Sequence, residues 1–241
     1  MQRALDIMLS LAGLLLLSPL LLLVAVVLRC TGEGEVFYRQ QRIGLAGVEF
    51  GLFKFATMLK HSPSIGTGTI TLRDDPRVLP VGRFLRKSKI NELPQLLNVL
   101  LGDMSLVGPR PQTRRCFNAF PERSRASIVR VRPGLTGIGS LVFRNEEALM
   151  DGAADADRFY DDVIMPYKGK LEEWYVANAS LGLYCKLLLL THAFEQLGCQ
   201  VVGFRTDNFN FASQNAIASR KTFGSLLANC SAHVVPPSTD L

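Results

Sequence analysis

An uncharged run from Ile7 to Leu28, IMLSLAGLLLLSPLLLLVAVVL, constrains this chain more than any other feature. About 20 apolar residues cross the hydrocarbon core of a bilayer, so the run reads as a membrane helix. A cleaved signal peptide fits poorly. Arg3 is the sole base ahead of the run, and Arg29-Cys30 stands where a small-residue cleavage site would be needed. Ser18-Pro19 sits in the middle. Proline removes one helical hydrogen bond and crowds the preceding turn, so a kink or break is expected there. The carbonyl it frees needs a partner in lipid, and the Ser18 hydroxyl can serve. Two structures satisfy this pattern: a kinked helix that crosses, and a broken helix that dips in and returns. Arg3 and Arg29 flank both ends, so the positive-inside rule selects neither end and mildly favours the re-entrant form.

The remainder combines two properties. The chain of 241 residues is 48% hydrophobic, yet carries a net charge of +6. That pairing points to a membrane surface or a phosphorylated substrate. Zinc-finger spacing, an aromatic RNA-binding pattern and a helix-turn-helix signal are all lacking, so nucleic acid is not an expected partner. The five cysteines are scattered with no CxxC pair, which argues against a disulfide framework or a zinc site and fits a reducing compartment.

After the membrane run, Glu35-VFYRQQRIG and Val48-EFGLFKF alternate loosely around Gly44-Leu45-Ala46-Gly47 and predict a β-hairpin. Ser62 to Thr71 reads as a loop, and Asp74-Asp75-Pro76 as a turn. Leu93, Leu96, Leu97 and Leu100 share one helical face. With Pro94 in the first turn, that helix is expected to begin near Asn91 or Glu92 and to stop at Gly102. Further helices are predicted over 154–163 and 171–197, the latter apolar on more than one side and suited to core or membrane interface. The charged residues Glu146-Glu147 and Glu172-Glu173 are expected on solvated faces. The chain divides into a membrane helix (1–30), a globular domain (31–202) and a polar tail (203–241).

Between Arg83 and Arg132 the chain is densely basic, opposed only by Glu92, Asp103 and Glu122. Most such side chains serve as solvated surface or rest on anionic headgroups. Two are better aimed: Arg110, between Pro109 and Pro111, and Arg132, before Pro133-Gly134. Restricted backbone directs a side chain, and the guanidinium fork suits phosphate. Glu92, at an expected helix start, is favoured in its ionised form by the helix dipole. A carboxylate beside concentrated arginine suits a Mg²⁺ ion held against a diphosphate. The plainer alternative is a helix-start acid with Asn91 as N-cap.

The Ser18-Pro19 helix, Val36-FYRQQRIG, Phe53-KFATM, the long run Asp75-PRVLPVGRFLRKSKINELPQLLNVLLGDMSLVGPRP and Arg132-PGLTG occur here in order. In these features the chain resembles the bacterial sugar transferase family, the monotopic polyprenyl-phosphate phosphoglycosyl transferases that begin capsule, exopolysaccharide and O-antigen assembly. The resemblance covers about residues 1 to 200. It implies an α+β, mostly helical monotopic membrane protein: a Pro-broken re-entrant helix with both ends cytoplasmic, and a cytoplasmic globular domain with a short β-hairpin. It also implies the cytoplasmic face of the bacterial inner membrane, and transfer of a sugar-1-phosphate from a UDP-sugar to undecaprenyl phosphate, releasing UMP. The implied cofactor is Mg²⁺, with Glu92 and Asp103 as its ligands. Catalytic positions are Asn91 and Glu92. Phosphate-binding positions are Arg110, Arg132, Arg144, Lys54 and Arg86. The phospholipid bilayer is a partner, and a homodimer is compatible with the family.

The chain departs from the family at one decisive point. An Asp-Glu pair, whose aspartate attacks phosphorus, reads Asn91-Glu92 here. A neutral amide is a poor nucleophile. Ala56 also stands where the family carries a basic residue. Two readings follow. In one, the enzyme is active with altered chemistry: Glu92 attacks, or it holds Mg²⁺ while the lipid phosphate attacks directly. In the other, an impaired member binds UDP-sugar, polyprenyl phosphate or an active partner.

Overall fold

The structure, a computed structural model, describes residues 1–31, 33–62, 75–144 and 155–197. One helix, α1 (Gln2–Cys30), carries the apolar run. The break expected at Pro19 is not an interruption: helical structure continues across it. The reason is local. Pro19 leaves the Leu15 carbonyl without its usual donor, and the Ser18 hydroxyl donates to that carbonyl at 2.8 Å.

Both ends of α1 are built into the globular part. Near its start, Arg3 donates to the carbonyls of Val99 and Leu100, and Asp6 binds three groups discussed below. Near its end, Val24 and Leu28 pack with Phe55 and Leu85 in a small apolar cluster. Between these anchors Leu15, Leu16, Leu22 and Leu23 are exposed, Leu16 at 80%. Such a surface needs an apolar surrounding.

The predicted hairpin forms. Strands β1 (Phe37–Ile43) and β2 (Glu49–Phe55) pair antiparallel, from Phe37 opposite Phe55 to Ile43 opposite Glu49. Ala46 and Gly47 take positive φ, 55° and 76°, in the connecting turn. The turn is docked by the Ala46 N–H on the Val129 carbonyl at 2.8 Å. Asp75 makes the expected turn, accepting the Arg77 N–H at 3.0 Å, and it also forms a buried ion pair with the Arg77 guanidinium.

Then come α2 (Pro80–Lys87), a 3₁₀ turn (Ile90–Glu92) and α3 (Gln95–Leu101). α3 starts after Pro94, later than the sequence suggests, because Asn91 and Glu92 are spent in the 3₁₀ turn. Asn91 is therefore not its N-cap. Gly102 ends it as expected, at φ 97°. The buried face is Gln95, Leu96, Asn98 and Val99, whereas Leu97 and Leu101 are exposed.

A second sheet was not signalled by alternation. β3 (Ser105–Val107) and β4 (Gly134–Thr136) pair in parallel, Ser105 with Gly134 and Val107 with Thr136. Between them lie α4 (Arg114–Asn118) and α5 (Glu122–Ile128), and α6 (Ile138–Val142) follows. The last described stretch comprises α7 (Ala156–Phe159), a π turn (Tyr160–Ile164), α8 (Met165–Ala177) and α9 (Leu181–Leu197). The single helix expected over 171–197 is thus two. Asn178 donates its Nδ2 to the Trp174 carbonyl at the end of α8, and the Ser180 hydroxyl accepts the Leu183 N–H at the start of α9. Both residue types favour such caps over helix interiors. Tyr184 and Leu187 of α9 join the main core, while Leu189 is exposed.

Candidate active site

Lys54 and Arg42 share one face of the hairpin. Residues opposite each other across an antiparallel pair point to the same side, and residues two apart on a strand do likewise. Lys54 is opposite Tyr38, and Arg42 is four residues along the same strand. Against this face stands the 3₁₀ turn, which presents Glu92. Arg110 comes from the segment after β3.

These groups converge on one atom. Glu92 Oε1 accepts from Lys54 Nζ at 3.3 Å and from Arg110 Nη2 at 3.1 Å. Burial opposes the charge on Glu92, but Arg110, Lys54 and Lys89 outweigh it and hold the carboxyl well below the usual carboxylate range. Side chains, rather than a helix dipole, keep this acid ionised. Lys89 precedes it in a left-handed conformation, φ 59°. Burial pulls Lys54 down to about 8; Glu92 supports its charge, while Arg110 and Arg42 oppose it. Arg42 is pulled down to about 10 by burial and then by Arg110. Its guanidinium bonds the Pro111 carbonyl at 3.1 Å and Gln40 Oε1 at 2.6 Å, while Nε has no partner.

Asn91, beside Glu92, is 6% exposed, and its Oδ1 has no hydrogen-bond partner. A buried acceptor without a protein partner is open to a water, an ion or a ligand group.

The other expected site residues lie elsewhere. Asp103, expected to share a cation with Glu92, accepts from Asn98 Nδ2 at 3.1 Å at the far end of α3, about 10 Å of helix away. Arg132 donates Nε to the Gly102 carbonyl at 2.8 Å, also at that end. Arg86 Nη1 faces Met58 Sδ at 3.7 Å. Arg144 is exposed at the edge of the described residues. Lys54 and Arg110 are thus the predicted phosphate-binding residues that the fold brings to Glu92. Arg42 was overlooked, although its place on the Lys54 face could be read from the alternation of the hairpin.

Among the described residues, no group of three or more His, Cys, Asp and Glu converges on a metal position. At this point the Glu92 carboxylate and the Asn91 oxygen are the groups whose chemistry would suit a Mg²⁺ ion.

Residues 1–195 match the family described as bacterial sugar transferase. The chain belongs to the bacterial sugar transferase family. The exopolysaccharide production protein ExoY of Sinorhizobium fredii is 36% identical over 159 residues, covering 60% of this chain and 70% of that protein. The uncharacterized sugar transferase EpsL of Bacillus subtilis is 36% identical over 191 residues, 79% of this chain and 85% of its own. The UDP-glucose:undecaprenyl-phosphate glucose-1-phosphate transferase of Caulobacter vibrioides is 41% identical over 144 residues, 58% of this chain and 53% of its own. Within this bacterial sugar transferase, the Pro-Arg-Pro turn, the Asn91-Glu92 turn and the Lys54 face of the hairpin meet at the site.

Proposed function

We propose that this sugar transferase moves a sugar-1-phosphate from a UDP-sugar to undecaprenyl phosphate and releases UMP, on the cytoplasmic face of a bacterial inner membrane. The observation that carries this reading is the joining of Lys54, Arg110 and Glu92 at one buried point, with Arg42 behind. Three cations exceed the one carboxylate, which suits a diphosphate. The sugar transferases similar to this chain supply the substrate class.

The reaction breaks one bond and makes one. An oxygen of the lipid phosphate attacks the sugar-bearing phosphorus of the UDP-sugar. The bond from that phosphorus to the bridging oxygen breaks, and UMP leaves with that oxygen. Glu92 is poorly suited to attack, since Oε1 is already occupied by two cations and its low proton affinity makes it a weak nucleophile. Direct attack by the lipid phosphate is therefore favoured. Arg110 and Lys54 would bind and orient the diphosphate and neutralise charge as UMP departs. A bound Mg²⁺, held by Glu92 and Asn91 Oδ1, would supply further neutralisation of the phosphate oxygens.

The test is UMP release from a panel of UDP-sugars by protein in nanodiscs, with Mg²⁺ and undecaprenyl phosphate present. Silence on every sugar would favour a binding protein instead. Binding should also titrate. Lys54 loses its proton as pH rises through about 8, so UDP affinity is expected to fall several-fold between pH 7 and pH 9. The fall should vanish in Lys54→Arg, measured by calorimetry at each pH.

The membrane reading has support of its own. Both ends of α1 are anchored in the globular part, and both carry arginine. This favours a helix bent at Pro19 that enters and leaves on one side, over one that crosses. Tags at residue 1 and after Thr31 are expected to react with impermeant reagents only from the cytoplasmic side; opposite accessibility would establish a crossing helix.

A further inference from the structure

The packing fixes where α1 passes from an apolar surrounding into the globular part. Leu22, Leu23 and Val26 are exposed on one side of the helix. Val24 and Leu28, on the other side of the same turns, are 7% and 1% exposed, packed with Phe55 and Leu85. The boundary between the two surroundings therefore runs close to this cluster.

Among the described residues the exposed aromatic side chains are Phe37 at 54%, Tyr38 at 38% and Phe84 at 66%. All three hang on this one cluster. Phe37 stacks on Phe55, with ring centres 5.4 Å apart. Tyr38 comes next in β1, two residues after Val36, which packs against the cluster. Phe84 precedes Leu85 on α2, and Val81 of the same helix packs there too. Single apolar side chains scattered over a surface are ordinary, but three rings around the end of one apolar helix form a patch.

The charge around the patch has one sign. α2 exposes Arg83 and Lys87, which share a helical face and stand on either side of Phe84. Neither has an acidic partner among the described residues. Rings that enter the acyl boundary beside cations that meet phosphate are the composition of a surface resting on a bilayer. Tyr38 links this patch to the site. It is directly opposite Lys54 across the hairpin, so the two side chains share a face with Cβ atoms about 5 Å apart. Lys54 is the residue whose ammonium bonds Glu92.

We propose that Phe37, Tyr38 and Phe84 form a collar around the end of α1 that seats in the headgroup layer of the bilayer, with Arg83 and Lys87 on anionic headgroups, and so sets the Lys54 face at the level of the lipid phosphates. The collar rests on the membrane reading of α1, and its service to catalysis rests on a lipid phosphate as acceptor.

The test uses the full chain in nanodiscs whose lipids are brominated high on the acyl chains. Phe37→Trp, Tyr38→Trp and Phe84→Trp are compared with two references, Leu16→Trp within α1 and Val48→Trp, exposed at the far end of the hairpin. Each signal is the increment over the parent chain, whose one tryptophan is Trp174 of α8. The added emission at the three collar positions is expected to fall about twofold or more, since interfacial side chains lie about 5–10 Å into the headgroup–acyl boundary. Leu16→Trp should be quenched as well, and Val48→Trp should not. Quenching at Leu16→Trp with fewer than two collar positions affected overturns the collar. Equal quenching at Val48→Trp overturns it too, because the whole domain then lies in lipid. An unquenched Leu16→Trp sinks the membrane reading of α1 and the collar with it. Anionic in place of zwitterionic lipid should deepen the quench at Phe84→Trp, and Arg83→Gln with Lys87→Gln should cancel that gain; a gain that survives removes the two bases from the proposal. Phe84→Glu is expected to raise KM for undecaprenyl phosphate several-fold at unchanged KM for UDP-sugar, and a wild-type KM for the lipid overturns the levelling role. A wild type that releases no UMP sinks the transferase reading, and the quenching series still decides the collar.

Discussion

Asn91→Asp is expected to release UMP about a hundredfold faster than wild type, the scale on which one well-placed reacting group acts. Wild type is expected to bind UDP-sugar more tightly than this variant. Both effects come from one charge. Asn91 is buried beside Glu92 with its Oδ1 unpartnered, so an aspartate fits the same space. The neighbouring Glu92 already stands beside two cations, Lys54 and Arg110. An aspartate adds a nucleophile that the amide cannot supply, and it also adds repulsion toward the diphosphate. Tight ground-state binding with slow turnover is the signature of missing transition-state stabilisation. Weaker or equal UDP-sugar binding by wild type, measured by calorimetry, would refute this account. Glu92→Gln run beside it should abolish turnover, because it leaves Lys54 and Arg110 without their shared carboxylate partner. A wild type silent on every sugar, next to an active Asn91→Asp, would identify a binding protein that retained its site.

The long apolar helix, the hairpin and two of the residues that meet at the site, Glu92 and Arg110, were legible in the sequence, each for a local reason. A long apolar run, period-two alternation around a glycine turn, and an arginine fixed between prolines are signals carried by neighbouring residues. What could not be read depends on contacts between distant parts. β3 and β4 are three residues each, too short to alternate visibly, and they pair across an intervening helical segment. Asp103 and Arg132 stand out in the sequence as charged residues in their motifs; in the fold Asp103 bonds Asn98 and Arg132 donates to the Gly102 carbonyl, both near the C-terminal end of α3. Glu172 looks like half of a solvated acidic pair. Only Glu173 approximates that, bonding Ser124 and Arg123 at the edge, while Glu172 turns inward against Gly139 and is 2% exposed. Helical position alone fixes which of two adjacent acids faces the core, and α8 has no clear apolar stripe to reveal it.

Asp6→Ala is expected to lower stability by about 3 kcal/mol or more, a fall of about 10 °C in apparent Tm for a chain of this size. Asp6 lies just before the uncharged run and is 2% exposed. Its Oδ1 accepts from the Leu106 N–H at 2.9 Å, the Ser105 hydroxyl at 3.0 Å and the Tyr184 hydroxyl at 2.7 Å. One atom thus ties α1 to β3 and to α9. Removing it strands three donors in the core, and an unsatisfied buried donor costs more than the bond itself contributed. Asp6→Asn retains an acceptor oxygen and should lose far less. Equal melting of Asp6→Ala and wild type in nanodiscs would show that the cluster contributes nothing. The consequence extends to the site, because β3 runs from Ser105 to Val107 and then directly into Gly108 and the Pro-Arg-Pro turn. The strand that leads to Arg110 is therefore held twice: by Asp6 of α1 at the Leu106 N–H, and by the Tyr175 hydroxyl of α8 at the Val107 carbonyl. Under the proposed transfer to a lipid phosphate, the arginine that binds phosphate must stand at a fixed place relative to α1, and the Asp6–Leu106 hydrogen bond ties β3, which leads to Arg110, to that helix.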